Sequence, residues 1–92
     1  MADVFKALAH PVRRSIIEML RDGPKSSGEI AAAFDASWPT ITAHLQALKE
    51  AGLVSAVRAK GGVTYRLEVS VAEEAVAALM ALFQVGGKEK PK

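Results

Sequence analysis

A mainly α-helical domain carrying one small β-hairpin, in the order α-α-α-α-β-β-α, is the fold class that this 92-residue sequence predicts. Three observations carry that expectation. Apolar residues recur at intervals of three and four over most of residues 4 to 51 and again over 71 to 83, the spacing that lines one face of a helix. Between these stretches the period changes to two: Val63, Tyr65 and Leu67 alternate with Thr64 and Arg66, as in a half-buried strand. The junctions carry residues that start or stop helices, at His10-Pro11, Asp22-Gly23-Pro24, Ser37-Trp38-Pro39 and Gly52.

Each element follows from its own residues. Asp3 is expected to cap a short first helix with the apolar stripe Val4, Phe5 and Leu8. Pro11 suits the first turn of a second helix, in which Val12, Ile16, Met19 and Leu20 recur until Asp22-Gly23-Pro24 ends it, a span of 11 to 22. Ser26 with Glu29 three residues on is a capping-box pattern opening a third helix, 26 to 35, with apolar positions Ile30, Ala33 and Phe34. Ser37 caps a fourth, 38 to 51, with Ile41, Leu45 and Leu48 as its seam and Gly52 at the left-handed stop. "LVSAVR" pairs with residues 63 to 67 across an "AKGG" tip. Ser70 and Glu73 form a second capping-box pattern ahead of "VAEEAVAALMALF".

That last helix is unusually apolar. Val71, Ala75, Leu79 and Leu82 share one side, Val76, Met80 and Phe83 widen it, and Glu73 and Glu74 are the only charges. A domain of this size rarely covers so much apolar face, so packing against a second subunit is expected. The tail "GGKEKPK", residues 86–92, is too polar and short to fold, which leaves residues 1–85 as one domain.

Composition narrows the function. The chain has no cysteine, which excludes disulfides and thiolate metal sites and makes the cytoplasm the default compartment. "MADVFKALAHPVRR" lacks a long apolar run before a cleavage site, and no segment reaches the roughly 18 apolar residues of a membrane span. A soluble, unprocessed chain with no membrane partner is the expectation. A formal charge of +2 is close to neutral, so its distribution matters more: Arg58, Lys60 and Arg66 form an acid-free cluster over residues 58 to 66.

Two short helices joined by a tight turn, then a ribbon with a basic tip, describe a winged helix-turn-helix. At "FKALAHPVRRSIIEML", "SSGEIAAAF", "SWPTITAHLQALKEAGLV" and "GVTYRL" the chain resembles the ArsR-type bacterial repressors, particularly the branch of small autorepressor-like members without a metal box. The resemblance covers most of residues 5 to 67, and "SWPTITAHLQALKEAGLV" is its most specific part. It implies a homodimer built on the first and last helices, a recognition helix in each major groove of double-stranded DNA, a wing reaching toward the backbone or minor groove, and repression of a promoter. Metal-sensing members carry a thiolate box near the recognition helix or Asp and His ligands on the last helix. This sequence has no Cys, and "VAEEAVAALMALF" holds neither Asp nor His, so no metal or other cofactor is expected and any small-molecule effector is unassigned.

The candidate contacts follow from the helical period. With Ile41 at 0°, Leu45 and Leu48 lie within about 40° and point inward, while Pro39, Ala43 and Gln46 gather opposite with Thr40 and Thr42 on the shoulders. Gln can bond bidentately to adenine, Thr can donate, accept or present its methyl to thymine, and Ala lets the backbone approach closely. Ser37, Trp38, Pro39, Thr40, Thr42, Ala43 and Gln46 are therefore the expected DNA-facing residues of the helix, with Arg58 and Lys60 on phosphates and Arg66 undirected. The alternative is a solvated helix face, which would more often use Glu, Lys or Ala than two β-branched threonines. Val4, Phe5, Leu8, Val76, Leu79, Met80, Leu82 and Phe83 are the expected dimer interface.

Other residues read more plainly. His44, about 60° from Ile41, is expected to be a half-buried packing or hydrogen-bonding histidine, and His10 a helix-boundary residue. Two isolated histidines make no zinc site. Arg13 and Arg14 are expected to pair within the chain, for instance Arg14 with Glu18. "GPKSSGE" imitates a phosphate loop, but Glu29 stands where its lysine is needed, and no catalytic constellation is evident. A protein-interaction module that touches no DNA is the rival from another class, and it would lack the salt sensitivity of phosphate binding.

Overall fold

The computed structural model describes residues 2–84 as five helices and a three-stranded antiparallel sheet: α1 (Ala2–Ala7), α2 (Pro11–Leu20), β1 (Lys25–Ser26), α3 (Ser27–Ala32), α4 (Trp38–Glu50), β2 (Val54–Ala59), β3 (Gly62–Leu67) and α5 (Val69–Phe83). The expected tail of residues 86–92 lies outside the described residues.

The core is made where α2, α3 and α4 meet. Ile16, Ile30, Ile41, Leu45 and Leu48 are the largest fully buried side chains, one or more from each helix. Burying each contributes about 1.5–3 kcal/mol, which fixes α4 by the seam its spacing predicts. Leu53 and Val54 extend the core into the sheet, Val4 and Ala7 close it from α1, and Ala75 is the buried residue of α5.

Several boundaries differ from expectation, each for a local reason. Asp3 lies inside the first turn of α1 rather than before it. α2 ends at Leu20, and the amide of Asp22 donates to the Met19 carbonyl at 3.2 Å, a tightened last turn that leads to Gly23 at φ +128°. The capping box at Ser26 forms as expected: its Oγ accepts from the Glu29 amide at 3.0 Å and the Glu29 carboxylate from the Ser26 amide at 2.8 Å. α3 is shorter than 26 to 35, stopping at Ala32, while Phe34 packs half-buried beyond its end.

The short strand β1 was not expected. Lys25 and Ser26 pair with Tyr65 and Thr64 of β3, so the sheet order is β1-β3-β2. Two residues carry no readable period, and their partners are distant in sequence. The hairpin itself pairs Val54 with Leu67 through Ala59 with Gly62, leaving Lys60-Gly61 as a two-residue tip.

The second predicted capping box does not form. α5 starts at Val69, so Ser70 lies inside its first turn, and Glu68 occupies the N-cap position without a side-chain capping bond. The Glu68 carboxylate instead accepts from Ser55 Oγ at 2.6 Å, and its amide donates to the Leu53 carbonyl at 2.9 Å. These bonds tie the entry of α5 to β2. Gly52 ends α4 at φ +81°, a left-handed conformation that favours glycine, while an added Cβ would only touch Val71, 3.7 Å from its Cγ2. Beyond Ala75 the apolar side chains of α5 leave the body, with Leu82 and Phe83 about seven-tenths exposed at 72% and 69%.

Candidate nucleic-acid interface

The N-terminus of α4 is set by Ser37. Its backbone is extended, its Oγ accepts from the Thr40 amide at 3.3 Å, and the Ser37 and Thr40 hydroxyls share a hydrogen bond at 2.9 Å. The Ser37 hydroxyl therefore caps the helix, and the Thr40 hydroxyl is bonded to it. Pro39 sits where a missing N–H costs nothing. Trp38 is 55% exposed, and its indole edge lies over the first turn of α3, 4.0 Å from where a Cβ on Gly28 would stand.

Along α4 the burial follows the helical period. Ile41, Leu45 and Leu48 are buried, whereas Pro39, Thr40, Thr42, Ala43 and Gln46 are all exposed. Gln46 Nε2 donates to Glu50 at 3.1 Å, one turn on, which leaves its amide oxygen and second amide hydrogen unused by that bond. This face presents hydroxyl and amide groups beside the small Ala43 and is backed by the buried seam.

On the shoulder toward α2, Arg13 Nε donates to His44 Nδ1 at 3.0 Å. The His10 ring lies 5.6 Å from that of His44, centroid to centroid. Burial first, then the charges of Arg13 and His10, holds the His44 imidazole below its usual ionisation range. His44 is thus the half-buried hydrogen-bonding residue expected, and His10 is the N-cap residue of α2. Arg14 does not reach Glu18: its Nη1 donates to the Leu8 carbonyl at 2.8 Å, just past α1, where helical partners run out.

The opposite shoulder faces the hairpin. Residues paired across an antiparallel sheet share a face, so Arg58 with Val63 and Ala56 with Tyr65 lie on one side, and Ser55 with Arg66 on the other. Lys49 of α4 joins Arg58, Tyr65, Ala56 and Val63 around an open cleft of about 230 Å³. The structure thereby separates Arg66 from Arg58 and brings in Lys49, which sequence reading passed over. Counting about 100° per residue puts Lys49 beside Thr42, a signal that was present in the sequence. Arg58 and Lys60 are both exposed, Lys60 at the hairpin tip.

Of the apolar residues expected at a subunit interface, Phe5, Val76, Leu79, Met80, Leu82 and Phe83 are exposed. Val4 is not available to a partner: at 3% exposure it belongs to its own core, because α1 turns that side toward α4. Leu8 is half-buried against the same core. Among the described residues no cluster of three or more His, Cys, Asp or Glu is arranged to hold a metal ion, and no helix is long and apolar enough to cross a membrane.

Known proteins share this arrangement. A family model described as a helix-turn-helix domain matches residues 8–57. The transcriptional repressor SdpR of Bacillus subtilis (strain 168) is 37% identical over 76 residues, covering 83% of this chain and 84% of that protein. The crystal structure of a possible transcriptional regulator for arsenical resistance superposes with a TM-score of 0.80 at 32% identity, over 91% of this chain and 86% of that one. The solution structure of the homodimeric winged helix-turn-helix DNA-binding domain Mb0332 from Mycobacterium bovis, a possible ArsR-family regulator, gives 0.72 at 34% identity over 96% and 86%. Sequence identity of this extent across nearly the whole winged fold means that the chain belongs to the ArsR-type family of winged helix-turn-helix transcriptional repressors.

Proposed function

We propose that this chain acts as a homodimeric, sequence-specific DNA-binding repressor that recognises an inverted-repeat operator. The observation that carries the reading is the division of α4: Ile41, Leu45 and Leu48 are buried, and Thr40, Thr42 and Gln46, whose side chains suit a base edge, are exposed. Thr40, Thr42, Ala43 and Gln46 read bases, with Ser37, Trp38 and Pro39 at the end of the helix that enters the major groove. Arg58 and Lys60, joined by Lys49 across the cleft, neutralise the phosphates beside it. The exposed apolar residues of α5 together with Phe5 pair two copies, which is how a helix with so little of itself buried is covered. Two-fold symmetry then sets the half-sites about one helical turn apart, roughly 34 Å centre to centre.

Selection from random duplexes followed by gel shift tests this reading, and binding indifferent to sequence refutes it. Gln46→Ala is expected to relax preference at one base position per half-site, by about 1–3 kcal/mol for a good bidentate contact.

A further inference from the structure

The Arg13–His44 bond has no part in the contacts just assigned, yet it is the side-chain hydrogen bond that joins the recognition helix to α2. Arginine keeps its proton, so its Nε can only donate, and Nδ1 of His44 must be bare for the bond to exist. His44 is therefore neutral, with its proton on Nε2. Protonation converts Nδ1 into a donor and ends the bond. It also sets an imidazolium against the Arg13 guanidinium and 5.6 Å from the His10 ring.

The surroundings offer His44 little relief. Arg13 and His10 line a groove between α1, α2 and the C-terminal half of α4 that also contains Asp3, Lys6 and Glu50. Asp3, Lys6 and Glu50 line this groove and His44 does not, while Arg13 and His10 are the charged neighbours that disfavour the imidazolium. The seam of Ile41, Leu45 and Leu48 fixes the buried side of α4 by packing, which is not directional. The Arg13–His44 bond adds a directional tie on the α2 shoulder.

We infer that Arg13 and His44 are a positioning pair that sets the angle of the recognition helix, and that operator binding therefore requires neutral His44 and weakens in acid. This rests on the DNA-binding reading above. The sign is diagnostic, because a histidine that simply gained charge near phosphates would tighten binding as pH falls.

The test measures operator affinity by fluorescence anisotropy between about pH 8 and 5.5, with circular dichroism at each pH. For wild type the affinity falls toward acid, and the loss steepens at the lower end of the range because His44 ionises below the usual imidazole value, toward a limit of about tenfold per pH unit for each linked proton. His44→Ala is weak and flat across the range. His44→Gln, whose amide oxygen accepts from Arg13 at any pH, recovers affinity over His44→Ala and is also flat, while His10→Gln keeps the acid loss. Affinity that is constant or rises toward acid in wild type overturns the proposal, as does acid loss retained in His44→Gln. A second measurement needs no DNA: in an NMR titration the Arg13 Nε–H signal moves with the midpoint of the His44 ring, and independent titration overturns the pairing. No operator binding at pH 8 refutes the DNA-binding reading itself, which the NMR arm keeps distinct.

Discussion

Replacing Arg58 by alanine separates the two faces of the wing. Arg58 shares its face with Tyr65 and opens toward Lys49, whereas Arg66 pairs with Ser55 and points the other way. With Lys49, Arg58 and Lys60 each neutralising one phosphate per protomer, a dimer releases counterions with a log–log salt slope near −5, at about 0.9 per contact. Arg58→Ala removes one contact per protomer and lowers the magnitude of that slope by about 1.8. Between 50 and 200 mM salt, wild type is then expected to lose roughly 10³ in affinity and the variant roughly 10². Arg66→Ala leaves the slope unchanged. Fluorescence anisotropy on a labelled operator at five or six salt concentrations gives both slopes. Equal slopes in Arg58→Ala and wild type, or an equal reduction in Arg66→Ala, would show that the cleft beside α4 is not where the backbone passes.

Three further outcomes follow from the local geometry. Ser37→Ala loses the bond to the Thr40 amide, and urea denaturation should show a loss of about 1 kcal/mol, with most of it recovered by Ser37→Asp. Leu79→Asp places a charge in the apolar face of α5; sedimentation should then report the mass of one chain, and an unchanged mass would remove α5 from the interface. The Ser26 backbone amide, bonded to the Glu29 carboxylate, holds that carboxyl below its usual range. The stabilisation is complete above the unfolded value and is lost as pH falls through the folded one, so the Tm of Glu29→Gln should drop less than that of wild type between about pH 5 and 3.

How legible the protein is varies with the range of the interaction. The seam of α4, the capping box at Ser26 and the cap at Ser37 each depend on residues three or four apart, so helical spacing alone specifies them. The Ser70–Glu73 pattern is equally local and yet does not cap, because Glu68 is drawn to Ser55 and the helix begins two residues earlier. A motif states which bonds are possible, and a neighbour on another element chooses among them.

The same division runs through the site. By itself the sequence determined the element order apart from β1, the buried seam, and the outward set of Thr40, Thr42, Ala43 and Gln46, since one helical period fixes all of their directions. Only the tertiary structure decided that Arg58 and Arg66 part company, that Lys49 joins the wing, that Val4 belongs to its own core, and that Arg13 holds His44. Those facts depend on register and on contacts between residues such as 13 and 44, and no periodicity within either segment encodes which side chain of another segment will arrive beside it.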